Sequence, residues 1–263
     1  MGESDVQLVQ SLSRGLAVIR AFDAERPRQT LAQVADATGL ARATTRRFLH
    51  TLVAEGFALT DGTLFWLTPK TLELGYSYLS SLGLPAIAQP HLVRLSSELN
   101  ESCSVCVLDE GDVVYVARAA TNSIMSVNIT IGTRFPAYAT AMGRVMLAGL
   151  SEVELDAYLA AATLHPRTPL TITDASKLRE VVDTVREQGY SVVDQELEMG
   201  LRSIACPIYN AAGEVTAAVN VPAHAARYQP AQVVGRLLPP LRDTAAAITR
   251  DVVTTDMTTK ETL

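Results

Sequence analysis

Arg42, Arg46 and Arg47 fall within six residues of one another in the stretch "ATGLARATTRRFLHTLVAEGF", residues 37–57, with Ala43, Thr44 and Thr45 between them. A guanidinium is a permanently charged planar fork whose N–H groups pair with phosphate oxygens or with the O6/N7 edge of guanine. No acidic residue lies between Ala37 and Leu52 to neutralise the three. The chemistry on offer is recognition of a polyanion.

Helical spacing sorts this stretch into two faces. In a helix beginning at Ala41, residues Thr45, Phe48, Leu49 and Leu52 recur at i, i+3, i+4 and i+7 and pack inward, which leaves Arg42, Ala43, Arg46, Arg47 and His50 outside. The segment before it, "LAQVADAT", takes Thr30 as N-cap and Gly39 as its left-handed stop. Val34 and the small Ala35 allow the two helices to approach closely. An alanine four residues ahead of a turn glycine, then an amphipathic helix basic in its first turns, is the helix-turn-helix pattern. Its second helix would enter the major groove of DNA. Arg46 is the candidate for a base edge, where a bidentate guanidinium gives about 1–3 kcal/mol of discrimination. Arg42, Arg47, Thr44 and Thr30 are candidates for phosphates, with Ser11 and Arg14 as weaker ones. Next comes "FALTDGTLFWLT", two strand-like runs joined by Asp61-Gly62, a hairpin signal whose tip carries Thr63 toward the minor groove or the backbone. Three exposed arginines also describe an ordinary solvated surface. The hairpin and the Ala-x-x-x-Gly spacing decide for DNA.

The charge distribution fits a local patch. The chain has 263 residues and a formal net charge of −6, yet residues 11–60 hold seven arginines, no lysine and four acidic residues. A protein coated throughout for nucleic acid is excluded. No basic segment followed by an apolar run opens the chain, and no window is long and apolar enough for a membrane span, so a cytoplasmic location is expected. Three cysteines make no disulfide framework.

Apolar Leu12, Leu16, Ile19 and Phe22 predict an amphipathic first helix over 11–25, buried along that stripe. The expected organisation is a DNA-binding domain over 8–68, a linker helix over 69–83 opened by Thr68-Pro69, and a second domain over 84–254. Gly83, Pro85 and Pro90 are read as the join to a helix at about 91–99. Strands follow at "CSVCVLD", "VVYVARA" and "MSVNITI", the first two turned by Glu110-Gly111. Helices are expected over 140–149, after the capping box "SEVE" at Ser151, and from Asp174 to Gly189. Strands "RSIACPIY" and "VTAAVNV" flank a turn at 210–213. A terminal helix starts near Pro230, and the polar tail after Thr254 is expected to fray. The fold class is α+β.

In the second domain catalysis has no visible machinery. His50, His91, His165 and His224 lack metal-ligand spacing, and Cys103 and Cys106, three apart on a strand, point to opposite faces. Cys206 reads as a buried thiol. No nucleophile-elbow, phosphate-loop or dinucleotide motif is present, so neither a metal nor a cofactor is expected. A site for a small anion has better support. Thr140 caps the helix of "YATAMGRVML", so the N–H groups of Ala141, Met142 and Gly143 lie at a helix start, where a carboxylate is favoured. Asp194, Ser203 and Asn220 interrupt apolar strand runs, and each either closes an internal hydrogen bond or faces a ligand.

The motifs "SLSRGLAVIRAF", "LAQVADATGLARATTRRFLHTL", "YSYL", "YATAMGRVMLA" and "VVDQELEMGLRSIACPIYNAAGEVTAAVNV" together resemble regulators of the IclR family over nearly the whole chain. Within it the wording is similar to regulators of the protocatechuate and β-ketoadipate pathway. The resemblance implies a winged helix-turn-helix domain, a linker helix and a GAF-like effector domain. It implies homodimers or dimers of dimers on pseudo-palindromic double-stranded operators, and a small carboxylate effector, here aromatic or dicarboxylic. It implies ligand contacts at Ala141 and Met142 and at Asp194, Ser203 and Asn220. Some relatives carry Cys at the position of Ser203 and Ser at that of Asn220, which argues against a two-carbon acid here. Thr45 replaces the usual Val or Ile and is expected to bond the carbonyl of Ala41. The competing reading is a small-acid sensor or enzyme that uses the winged helix only to dimerise.

Overall fold

The computed structural model describes residues 8–23, 25–75, 83–121 and 129–261. The chain divides into two compact units, Met1–Ser81 and Leu82–Leu263.

In the first unit, helix α1 spans Gln10–Arg20, α2 Leu31–Thr38 and α3 Arg42–Ala54. Thr30 caps α2 through a reciprocal box with Gln33, and Gly39 ends it at φ 66°. Strands β1 (Gln29–Thr30), β2 (Ala58–Thr60) and β3 (Leu64–Leu67) form an antiparallel sheet in the order β1-β3-β2. The β1 strand carries too few residues for an alternation signal and was not expected. Val18, Ala21, Val34, Leu49 and Phe65 make the core.

Two expectations are corrected here. Helix α1 stops at Arg20, and its buried side is set by Val18 and Ala21, whereas Leu12 and Leu16 are 64% and 40% exposed. The apolar stripe was real, but Gly15 and Val18 are the residues turned toward α3, where Phe48 lies 3.8 Å from the position of a Gly15 Cβ. In the hairpin, Asp61 pairs back to Leu64 (N–H to O 3.3 Å), so Gly62-Thr63 form the tip one residue later than Asp61-Gly62. Asp61 instead accepts the N–H groups of Thr63 (2.9 Å) and Leu64 (2.8 Å). Those bonds hold its carboxyl below the usual range.

Thr68 caps a tight turn, Pro69–Thr71, that runs into helix over 72–75. The rest of the expected linker helix, with "YSYL", lies outside the described residues, as does most of "MSVNITI".

The second unit is a six-stranded antiparallel sheet in the order β6-β5-β4-β9-β8-β7. Its strands are β4 (Cys103–Asp109), β5 (Asp112–Ala119), β6 (Arg134–Pro136), β7 (Ser191–Asp194), β8 (Leu201–Tyr209) and β9 (Val215–His224). Glu110 and Gly111 turn β4 into β5 with φ of 48° and 85°, as a two-residue hairpin requires. Helix α4 (Leu84–Leu99) and the terminal helix α8 (Leu238–Glu261) pack with each other and on the sheet. Helices α5 (Ala141–Ala148), α6 (Glu152–Ala161) and α7 (Ala175–Gln188) follow one another in the chain, with α5 against the sheet and α7 against α5. The caps at Ser151 and Asp174 and the stop at Gly189 form as expected.

Pro90 is not a boundary. Helix α4 starts at Leu84 with Pro85 in its first turn and runs through Pro90, whose position is exposed, so water satisfies the carbonyl that loses its N–H partner. Nor does the chain fray after Thr254. Helical backbone continues to Glu261, with Thr254 and Thr255 hydroxyls bonded to the carbonyls of Arg250 (2.8 Å) and Asp251 (2.9 Å). A π-helical turn, Val233–Leu237, leads into α8 just ahead of Pro239 and Pro240, which have no N–H to offer an α-helical ladder.

The tightest backbone approach is at the start of α5. A Cβ on Gly143 would lie 2.1 Å from the carbonyl oxygen of Ala137, whereas one on Gly235 would meet nothing. Gly143→Ala should therefore destabilise by about 3 kcal/mol, the upper end of overpacking costs, with a fall in thermal midpoint on the order of 10 °C. Gly235→Ala should leave the midpoint unchanged or raise it, and calorimetry of both variants checks the pair.

Candidate functional site

Helix α3 presents the two faces its spacing dictates. Thr45 and Leu49 are fully buried and Phe48 and Leu52 partly so, while Arg42, Ala43, Arg46, Arg47 and His50 are exposed and Thr44 is half-buried. Thr45 Oγ1 donates to the carbonyl of Ala41 at 3.3 Å, so a polar atom in this core position is satisfied within its own helix.

None of Arg42, Arg46 and Arg47 has an ion pair or side-chain hydrogen bond among the described residues. Three other arginines of the unit are engaged, Arg26 with Asp23 at 2.7 Å, Arg28 over the Trp66 ring at 4.4 Å and Arg14 with Gln10 at 3.0 Å, while Arg20 at the end of α1 has no side-chain partner among the described residues. Three of the unit's four unpartnered guanidinium groups thus share one helix face. His50 stands edge-on to Phe65, with ring centroids 6.0 Å apart, which fixes its ring beside the arginines. The Thr30 hydroxyl is already used, accepting from Gln33 N–H (3.3 Å) and donating to Gln33 Oε1 (3.0 Å). Thr63 is exposed at the hairpin tip.

In the second unit, Thr140, Ala141, Met142, Ser203 and Asn220 line one cavity, together with Tyr115, Val193, Leu197 and Leu201. The space left between them is about 20 Å³, room for roughly one water. Thr140 Oγ1 accepts the N–H of Gly143 at 3.0 Å, so Gly143 has no free donor and only Ala141 and Met142 keep theirs. Both are 1% exposed, and no acceptor is placed for them among the described residues. Asn220 Nδ2 donates to Ser203 Oγ at 3.1 Å, while Asn220 Oδ1 is buried without a partner. Two unmet N–H groups and one unmet carbonyl oxygen converge on a cavity with otherwise apolar walls.

Asp194 is not among the lining residues. It pairs with Arg202 on the neighbouring strand at 2.7 Å, and the partner residues are in direct register. Its opposition to an arginine across the sheet, invisible along one strand, explains a carboxylate at that place.

Sequence reasoning missed Arg144 and Glu196. Arg144 is 2% exposed, donates through Nη2 to Glu196 Oε2 at 2.6 Å and through Nε to the carbonyl of Tyr138 at 3.0 Å. Glu196, itself 8% exposed, also accepts the N–H of Ile172 at 3.0 Å. The pair ties the cavity helix to the loop after β7, where Gln195 holds a left-handed φ of 58°. The available signal was an arginine inside the apolar run "AMGRVMLA".

The three thiols are inert. Cys103 and Cys206 are pushed up to about 12 by burial, and burial raises Cys106 as well, so none is a thiolate at neutral pH. Cys106 belongs to the apolar core that α5 covers, whereas Cys103 is not part of that cluster.

Family models match both units: the IclR helix-turn-helix domain over residues 11–62 and the bacterial transcriptional regulator IclR C-terminal domain over residues 76–250. The chain belongs to the IclR family. It is 46% identical over 236 residues to the Pca regulon regulatory protein of Pseudomonas putida, covering 89% of this chain and 81% of that protein. It is 39% identical to the p-hydroxybenzoate hydroxylase transcriptional activator of Acinetobacter baylyi, covering 90% and 89%. An IclR homolog from Microbacterium hydrocarbonoxydans, solved in complex with 4-hydroxybenzoate, matches with a TM-score of 0.82 at 25% identity, covering 92% of this chain and 98% of that one. The molecule is a transcriptional regulator of the IclR family, and the reading as an enzyme is set aside on that membership. Among the described residues no helix is long and apolar enough to cross a membrane.

Removing one member of the Arg144–Glu196 pair leaves the other charged, buried and unpaired. Glu196→Ala should cost about 3–5 kcal/mol. Combining it with Arg144→Met should cost less than the sum of the two single changes, as read in a double-mutant cycle of denaturant unfolding.

Proposed function

We propose that this IclR regulator binds a double-stranded operator through the exposed face of α3 and is controlled by an aromatic or dicarboxylic acid held at the start of α5. Arg46 reads a base edge from the centre of that face. Arg42, Thr44, Arg47 and Thr30 hold phosphates, Thr30 by turning its hydroxyl hydrogen from Gln33 Oε1 to a phosphate oxygen, while Ala43 and His50 lie along the groove wall and Thr63 meets the DNA at the wing tip. The observation that carries this reading is the set of three guanidinium groups on one helix face that have no partner among the described residues. The regulator acts in the cytoplasm as a homodimer or dimer of dimers, since a two-fold assembly matches a pseudo-palindromic site.

For the effector, the N–H groups of Ala141 and Met142 face a carboxylate, Thr140 fixes the helix start that aims them, and Ser203 and Asn220 take a second polar group. Asp194 acts from outside the cavity, holding Arg202 and so the register of β7 against β8. A benzoate-sized molecule exceeds the present space, so binding moves side chains apart. The complex of the Microbacterium homolog with 4-hydroxybenzoate and the role of the Acinetobacter activator in p-hydroxybenzoate metabolism support an aromatic acid.

Arg46→Ala should narrow the ratio of operator to random-duplex affinity by about 1–3 kcal/mol. Arg47→Ala should weaken both equally and lower the salt slope by about one. Fluorescence anisotropy across a salt series separates the two, and unchanged operator preference in the Arg46 variant refutes base reading there. Thermal unfolding against hydroxybenzoates, protocatechuate and aliphatic diacids should show a midpoint rise for at least one, because a ligand bound only by the native state stabilises it. A flat panel at millimolar ligand refutes the effector reading.

A further inference from the structure

Three adjacent strands carry a row of polar side chains on one face of the sheet. Arg118 on β5 is in register with Ser104 on β4, and Ser104 with Asn220 on β9. Residues directly opposed in an antiparallel pair share a face. Ser104 is 0% exposed and Asn220 4%. Arg118 Nη1 donates to Ser104 Oγ at 3.4 Å, so the guanidinium lies over β4, on the way to the cavity that Asn220 lines.

Among the described residues this arginine has no counter-ion. Ser104 Oγ is the sole partner of its guanidinium among the described residues. The most buried arginines of the same unit are each matched with a carboxylate, Arg144 with Glu196 and Arg202 with Asp194. The guanidinium of Arg118 is half-buried and lacks an anion, and its partial burial depresses its proton affinity. The next polar group along the row is also incomplete, for Asn220 Oδ1 is buried without a partner. One ligand group completes both. With the Asn220 amide reversed, Nδ2 points to the ligand and the Ser203 hydroxyl donates to Oδ1.

We propose that Arg118 is the second anionic anchor of the effector site and that the regulator selects a diacid over the monoacid of the same skeleton. The inference rests on the effector reading above, in which the first carboxylate sits at Ala141 and Met142. The distal carboxylate lies beside Asn220 and draws the guanidinium past Ser104 into a charge-assisted pair.

The test is calorimetric titration of the full-length protein with two matched pairs, adipate against hexanoate and terephthalate against benzoate. The wild type should bind the diacid of at least one pair about tenfold tighter than its monoacid. Arg118→Gln should abolish that ratio while monoacid affinity stays within about twofold, and Arg118→Lys should restore most of it. Ser104→Asp, which supplies the guanidinium with a carboxylate from within the chain, should abolish the preference as well and carries the test if Arg118→Gln fails to fold. A ratio that survives Arg118→Gln or Ser104→Asp, a wild type indifferent to the second carboxylate, or an equal loss of both ligands in the variants overturns the proposal while the effector reading stands. Failure of the wild type to bind any of the four acids overturns both.

Discussion

A helix start buried among apolar side chains leaves its first N–H groups without water, and the second unit is arranged around that constraint. Thr140 satisfies one donor of α5, the one on Gly143, and the close passage of Gly143 over Ala137 leaves no room for a Cβ at that position. Ala141 and Met142, which line the cavity, have no acceptor for their N–H groups among the described residues. Orphan donors in an apolar site are expensive unless a ligand meets them, so the arrangement favours an anion over anything else of the same shape. The buried Arg144–Glu196 pair keeps the geometry fixed by joining the helix to the loop that follows β7. Without that brace the donors would have no fixed direction.

The DNA-binding unit solves the opposite problem. Its guanidinium groups have to stay unpaired in a chain with more acid than base. The unit achieves this by keeping carboxylates off α3, while Arg26 is occupied locally by Asp23 and Arg28 by Trp66. The inward face tolerates Thr45 because the helix's own carbonyl absorbs the hydroxyl. Charge is held in reserve on one surface, and beneath it the hydroxyl of Thr45 is absorbed while Gln29 Oε1 stays buried without a partner.

How much of this was legible along the chain depended on the range of the interaction involved. Caps at Thr30, Thr140, Ser151 and Asp174 and stops at Gly39 and Gly189 are settled by bonds between residues three or four apart, and all were readable. The α3 faces follow from helical geometry alone. The burial of α1 was misread because two apolar stripes share one helix and only the neighbours decide which is covered. Pro90 was misread because a missing N–H is harmless where water reaches the carbonyl. The tip of the hairpin moved by one residue because Asp61 is worth more as an acceptor for two amides than as a turn residue.

The sequence by itself determined the two-unit plan, the winged helix-turn-helix and the presence of a capped helix start suited to an anion, since local periodicity and capping chemistry carry that information. Tertiary structure alone decided that Asp194 faces Arg202 rather than the cavity, that Arg144 meets Glu196 across 52 positions, and that Arg118 has no counter-ion among the described residues. Strand pairing and burial place such charges together or apart, and neither is written in the spacing of residues along one chain.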